Sequence, residues 1–141
     1  MIEAAVVDAS VAVKWVVRES GSDQARSLSS ARLDAPDLLL IECANILWKK
    51  VRIGDLTRRE ASSCLTLLLS GPLILTDSVG LLASALELSC ELQHPVYDCV
   101  YLALAIQRDV PLLTADRRLV SAARRRRKLA ARVMLLGDLA E

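Results

Sequence analysis

The sequence predicts an α/β domain built on a mostly parallel central sheet flanked by helices. Three observations carry that reading. Short β-type runs alternate with helical segments along the chain. The strand candidates are apolar throughout, with little polar alternation, as strands covered on both faces are. The length, 141 residues with 53% apolar, suits one domain with one buried core, so 1–141 is read as a single unit.

Each element has a local reason. Glu3–Val7 is the first strand, and Ser10–Val17 reads as a helix. Ser20–Ala31 is polar and helical. Leu33–Ala35 is a short extended piece, and Pro36 suits the first turn of the next helix. That helix, Asp37–Ile53, stops at Gly54, a C-terminal signal. Thr57 with Glu60 spells a capping box, and the helix it opens halts at Gly71-Pro72. Leu73–Leu75 is a strand and Ser78–Leu92 a helix, broken off by His94-Pro95. Tyr97–Arg108 is helical with alanines along one side, Leu112–Thr114 a strand, Asp116–Leu129 a helix and Arg132–Leu135 the last strand. No internal repeat, low-complexity tract or linker interrupts this order.

Composition removes several function classes. A mean hydropathy of +0.36 with 25% charged residues excludes intrinsic disorder. Phe is absent and aromatics are 3%, so the core is expected from Leu, Val, Ile and Ala. Net charge is +1, from 18 basic and 17 acidic residues, and names no partner by itself. Cys43, Cys64, Cys90 and Cys99 lie in apolar runs without a CxxC pair, so they read as reduced core thiols. The one histidine, His94, rules out a His-based zinc site and reads as a turn residue. The first residues lack a basic n-region and Asp8 interrupts their apolar run, against a signal peptide. The longest uncharged stretch, Ala61–Thr76, contains Gly71-Pro72 and is too short to span a membrane. A cytoplasmic protein without membrane attachment is expected.

The acids hold the chemical interest. In an open parallel sheet, ligands bind beyond the carboxyl ends of the strands. Asp8 directly follows the first strand, Asp116 follows Leu112–Thr114, and Asp98 opens the alanine-rich helix. Each also stands at or near a helix start, where a carboxylate caps free amides, so capping and function both remain open for them. Glu42 differs, because it lies mid-helix among Leu38-Leu39-Leu40-Ile41 and Cys43-Ala44, where capping explains nothing. It is either a partly exposed or paired side chain or part of a site. Should these acids converge, mutual repulsion raises their pKa values and a divalent cation relieves it. Hard oxygen ligands favour Mg²⁺ or Mn²⁺, which can activate water against a phosphodiester.

Four stretches together resemble a known family: Val6-Val7-Asp8-Ala9-Ser10; Glu42 with Asn45; Tyr97-Asp98-Cys99-Val100-Tyr101-Leu102-Ala103-Leu104-Ala105; and Leu112-Leu113-Thr114-Ala115-Asp116-Arg117-Arg118-Leu119. They resemble the PIN-domain ribonucleases, in particular the VapC toxins of bacterial toxin–antitoxin pairs, over nearly the whole chain. The resemblance implies a PIN-like three-layer domain with four acids meeting at the carboxyl edge of its sheet. It carries over Asp8, Glu42, Asp98 and Asp116 as catalytic, metal-holding acids, with Ser10 and Thr114 as supporting hydroxyls. It implies an endoribonuclease leaving 5′-phosphate and 3′-hydroxyl ends, using Mg²⁺ or Mn²⁺. A cognate antitoxin and a homodimer are its implied protein partners. Two departures, Leu119 where Phe is common and Cys99-Val100 in place of small residues, concern packing.

Arg117 to Arg132 holds eight basic residues and no acid. The run Arg124-Arg125-Arg126-Arg127-Lys128 cannot share one helix face, so part of it is simply solvated. Arg117, Arg118, Arg124 and Arg125 are the candidates for holding the RNA backbone beside Asp116. Trp15 and Trp48 can stack on bases or fill core and interface positions. The alternative function is a PIN-like module that binds RNA without cutting it. A receiver domain wants paired acids near the first strand and a strand-end Lys, and a haloacid-type phosphatase wants Asp where Ser10 stands; neither pattern is present.

Overall fold

The computed structural model describes residues 2–139. Its sheet is centred on β1 (Ala4–Val7), with β2 (Arg32–Pro36) and then β3 (Ile74–Thr76) on one side. On the other side lie β4 (Leu112–Thr114) and then β5 (Val133–Leu135). Every pairing is parallel, with Val6 opposite both Asp34 and Leu112. The chain leaves β1 toward β2 and later returns to its far side as β4. The strand order therefore reverses at β1, which opens a crevice beyond the carboxyl ends of β1 and β4.

The helices are α1 (Ala9–Ala12), α2 (Ser22–Arg26), α3 (Leu38–Arg52), α4 (Arg58–Leu69), α5 (Leu82–Leu92), α6 (Val96–Arg108) and α7 (Arg117–Arg124). The Thr57–Glu60 capping box forms with both of its hydrogen bonds. Residues Cys99 to Ala105 of α6 are all buried, as in a helix apolar all round. It is enclosed between strands β1, β2 and β4 and helix α5. The core is Leu, Val and Ala with Tyr101 and two thiols, and among the described residues no isoleucine is fully buried.

Several boundaries differ from expectation. Pro36 ends β2 opposite Thr76, where its lack of an amide proton costs nothing more than the end of the ladder. The first helix shortens to α1 and tightens into a 3₁₀ turn, Val13–Trp15. The polar stretch Ser20–Ala31 is helical only over α2; beyond it Ser27 Oγ donates to Gln24 O at 2.6 Å, a local bond that competes with the helix. Helix α7 stops at Arg124 and does not reach Leu129. Like charges one turn apart disfavour its continuation. Arg125 and Arg126 instead donate to the carbonyls of Leu92 and Glu91 at 2.9 and 3.0 Å. The thiols divide, with Cys43 and Cys99 buried, Cys64 partly so, and Cys90 exposed on α5, so the expectation of four core thiols holds for two.

Candidate active site

Asp8 follows β1 and caps α1, its Oδ1 accepting from the Val11 amide at 3.2 Å. Two hydroxyls hold its carboxylate. Ser10 Oγ donates to Oδ1 at 2.5 Å and Thr114 Oγ1 donates to Oδ2 at 2.5 Å. Each hydroxyl in turn accepts an amide from the β4–α7 turn: Ala115 N–H reaches Ser10 at 2.9 Å, and Asp116 N–H reaches Thr114 at 2.9 Å. Backbone amides of one turn are thus relayed onto both oxygens of an acid on another strand. Asp8 is 5% exposed. Burial, aided by the charge of Asp98, pushes its carboxyl up to about 6 against the opposing pull of these hydrogen bonds.

Glu42 stands in the second turn of α3 and is half-buried. Its Oε1 accepts from the hydroxyl of Tyr101 at 2.5 Å. Burial raises its carboxyl above the ordinary value; Tyr101 opposes that and Asp98 adds to it. The Tyr101 hydroxyl is raised in turn by burial and by Glu42. Asp98, in the first turn of α6, has its Oδ2 2.6 Å from Nε2 of His94. Asp116 caps α7, accepting the Arg118 amide at 2.9 Å. Capping and a place in the cleft therefore coexist in Asp8 and Asp116.

All four acids line one cleft of about 540 Å³, with Ser10, Asn45 and Lys49. A separate apolar cavity of about 440 Å³ is lined by Trp15, Ala25, Leu33, Leu68 and Leu73; among the described residues no acid lines it. The acids and both hydroxyls are those the sequence points to, whereas Tyr101 and His94, expected only as a helix residue and a turn residue, each meet one of the acids. Their signal was spacing, since Tyr101 lies three residues after Asp98 and His94 four before it. Cys43 is pushed up to about 12 and Cys99 to about 11, both chiefly by burial, which leaves them unfit as nucleophiles. Trp15 is an anchor, its Nε1 donating to Ala25 O at 2.8 Å. Trp48 is exposed, with the Arg52 guanidinium 4.9 Å from its ring centre.

The donor set suits a small hard cation. The acids offer oxygen alone, and among the described residues neither Asp8 nor Glu42 has a Lys or Arg ion-pair partner. Among the described residues no three His, Cys, Asp or Glu side chains already form an ion cage. Mg²⁺ does not need one, because it commonly takes one or two carboxylates and keeps several waters.

A switch-point cleft lined by strand-end acids meets its family in sequence comparison. Residues 5–125 match the PIN domain, and the chain belongs to the PIN-domain family. Within that family it is similar to Ribonuclease VapC3 of Pyrobaculum aerophilum, 40% identical over 118 residues, which cover 81% of this chain and 90% of that protein. Two solved structures share the fold. PAE2754 from Pyrobaculum aerophilum superposes with a TM-score of 0.73 at 22% identity, over 96% of this chain and 90% of the other. VapBC2 from Rickettsia felis, bound to a DNA fragment from its promoter, gives 0.64 at 14% identity, over 94% and 98%.

Proposed function

We propose that this protein is a metal-dependent endoribonuclease acting as the toxin of a toxin–antitoxin pair. The observation that carries the reading is the convergence of Asp8, Glu42, Asp98 and Asp116 on one cleft, with Asp8 held at both oxygens. The similarity to a protein named a ribonuclease supports RNA as substrate. Asp8, Glu42 and Asp98 would hold Mg²⁺ or Mn²⁺ directly or through water, and Asp116 would complete the set. When bound, the ion supplies charge to a phosphodiester and lowers the pKa of water. The chain's residues do the rest. Ser10 and Thr114 fix the rotamer of Asp8, Tyr101 fixes that of Glu42, and the buried floor limits the water that reaches the acids. No helix among the described residues is long and apolar enough to cross a membrane.

An antitoxin partner is part of the proposal, supported by the fold shared with a VapBC complex. An Arg or Lys from such a partner would pair with the acid cleft and occupy it. Exposed Ile41, Trp48, Val79 and Leu86 supply apolar surface for that partner or for a homodimer. The test is cleavage of total bacterial RNA by antitoxin-free protein with Mn²⁺, with Mg²⁺ and with EDTA, beside Asp8→Asn. New 5′-phosphate ends that require metal and vanish in the variant are expected. Folded protein that cuts nothing under any metal overturns the nuclease in favour of a binding module.

A further inference from the structure

Beside the acid cleft lies a second, more open pocket of about 580 Å³, and among the described residues no carboxylate lines it. One wall is the outer face of α7, where Arg117, Arg118, Ser121, Ala122 and the C-capping Arg125 fall at helical spacing. The other wall is His94, in the link between α5 and α6. The two concavities share a boundary. Asp98 lines the cleft and its Oδ2 meets His94 Nε2 at 2.6 Å; Asp116 lines the cleft and the next residues, Arg117 and Arg118, line the pocket.

We propose that this pocket is a phosphate subsite, holding a backbone phosphodiester of the RNA strand next to the one presented to the acids. The inference rests on the nuclease reading for its substrate. Guanidinium groups present forked donors that match phosphate oxygens, and three of them share this wall. The Arg118 side chain is 90% exposed and its Nε stands 3.6 Å from Asp116 Oδ1, so its head group sits at the rim between cleft and pocket. Arg125 donates one nitrogen to Leu92 O at 2.9 Å, which fixes its guanidinium against the end of α5. The Arg118 amide at the α7 N-terminus is already taken by Asp116, and the donors argued for the subsite are the arginine side chains.

The geometry divides the basic run. Arg117, Arg118 and Arg125 line the pocket and Arg124 does not, so of the four candidates three belong to the subsite. Arg126 turns to Glu91, its Nε 3.7 Å from Oε1. Arg127 and Lys128 lie outside the pocket and are exposed, so replacing both is a charge-matched control. The consequence for substrate is specific. The scissile linkage must have a phosphate neighbour on the α7 side, so a dinucleotide, which has no second linkage, is a poor substrate.

The experiment measures binding of a short fluorescein-labelled single-stranded RNA of mixed sequence by anisotropy, across a salt titration, in the uncleaving Asp8→Asn background. R117Q/R118Q is expected to weaken binding roughly tenfold and to flatten the dependence of log affinity on log salt by about one unit, while R127Q/K128Q leaves both unchanged. Replacing backbone phosphates one at a time by methylphosphonates is expected to cost affinity at one linkage beside the cleft, and that cost vanishes in R117Q/R118Q. A pocket variant that binds like R127Q/K128Q overturns the subsite even when wild-type protein cleaves RNA. Pocket-dependent binding without cleavage under any metal upholds the subsite and removes the nuclease reading. A chain that binds no RNA overturns both.

Discussion

The Thr114 hydroxyl, at the end of β4, donates 2.5 Å to Asp8 Oδ2 at the end of β1, joining residues 106 positions apart. The same hydroxyl accepts the Asp116 amide, so one side chain sets the carboxylate of the first strand and the turn that carries the last acid. Thr114→Val keeps the shape and removes both bonds. The variant is expected to lose about 1–3 kcal/mol of stability, because a buried carboxylate oxygen and an amide lose partners. Thr114→Ser should retain most of it. Urea unfolding of the metal-free proteins, read beside RNA cleavage, checks both.

Asp8→Asn is expected to abolish cleavage and to stabilise the metal-free fold. The folded carboxyl lies at about 6 against an ordinary 3.8, so the native state holds its proton more tightly than the unfolded chain does. Stability therefore falls as pH rises through that window and stays lowered above it. A shift of about two units bounds the cost at neutral pH at roughly 3 kcal/mol. Asn escapes part of this, so its melting temperature should exceed wild type at neutral pH and converge with it below the window. Mg²⁺ should raise the wild-type melting temperature and leave that of the variant unmoved.

Tyr101→Phe removes the donor that favours ionised Glu42 while keeping the ring in the core. The Glu42 carboxyl should rise further, moving the acid limb of the pH–rate profile to higher pH. Divalent-ion affinity should weaken on the order of tenfold, as for other partners that orient a metal-binding carboxylate. Calorimetric titration with Mn²⁺ separates this from a folding defect, which the melting curve reports.

Away from the site, Glu19 accepts from Lys50 Nζ at 2.8 Å and from Lys14 Nζ at 3.1 Å, tying the end of α3 to the turn after α1. Burial works to raise Glu19, but the two lysines outweigh it and hold its carboxyl below the ordinary 4.5. Its contribution is present above the unfolded value and is lost as pH falls through the folded one. Glu19→Gln should cost about 1 kcal/mol at neutral pH, the partial exposure limiting it. The gap to wild type should close in acid, as denaturation midpoints at both pH values will reveal.

Much of this was legible from local chemistry. Asp8 and Asp116 announce themselves because an acid directly after an apolar strand faces the carboxyl edge of a parallel sheet. Glu42 does so because nothing local explains a carboxylate in an apolar helix. What escaped depends on how elements meet. The Tyr101–Glu42 bond joins α6 to α3, and its hydroxyl gives no sign in the sequence of which acid it will find. His94 reads as punctuation before Pro95 until the turn brings its ring onto Asp98. Helix α7 ends early because Arg125 and Arg126 find carbonyls of α5, partners that no window on the chain contains. Cys90 reads as core from its apolar neighbours, yet it lies on the outer side of α5.

Helix α6 carries Asp98 and Tyr101 near one end and is walled in from Cys99 to Ala105. A methyl group added at Ala103 or Ala105 has no solvent to turn toward, so the helix must shift as a body. The acid then moves with it relative to Asp8, which is anchored at the end of β1. Random variants selected for lost activity should accordingly collect in this stretch as well as in the cleft, many of them folded, none touching substrate, and recoverable by compensating changes on the facing side of α5.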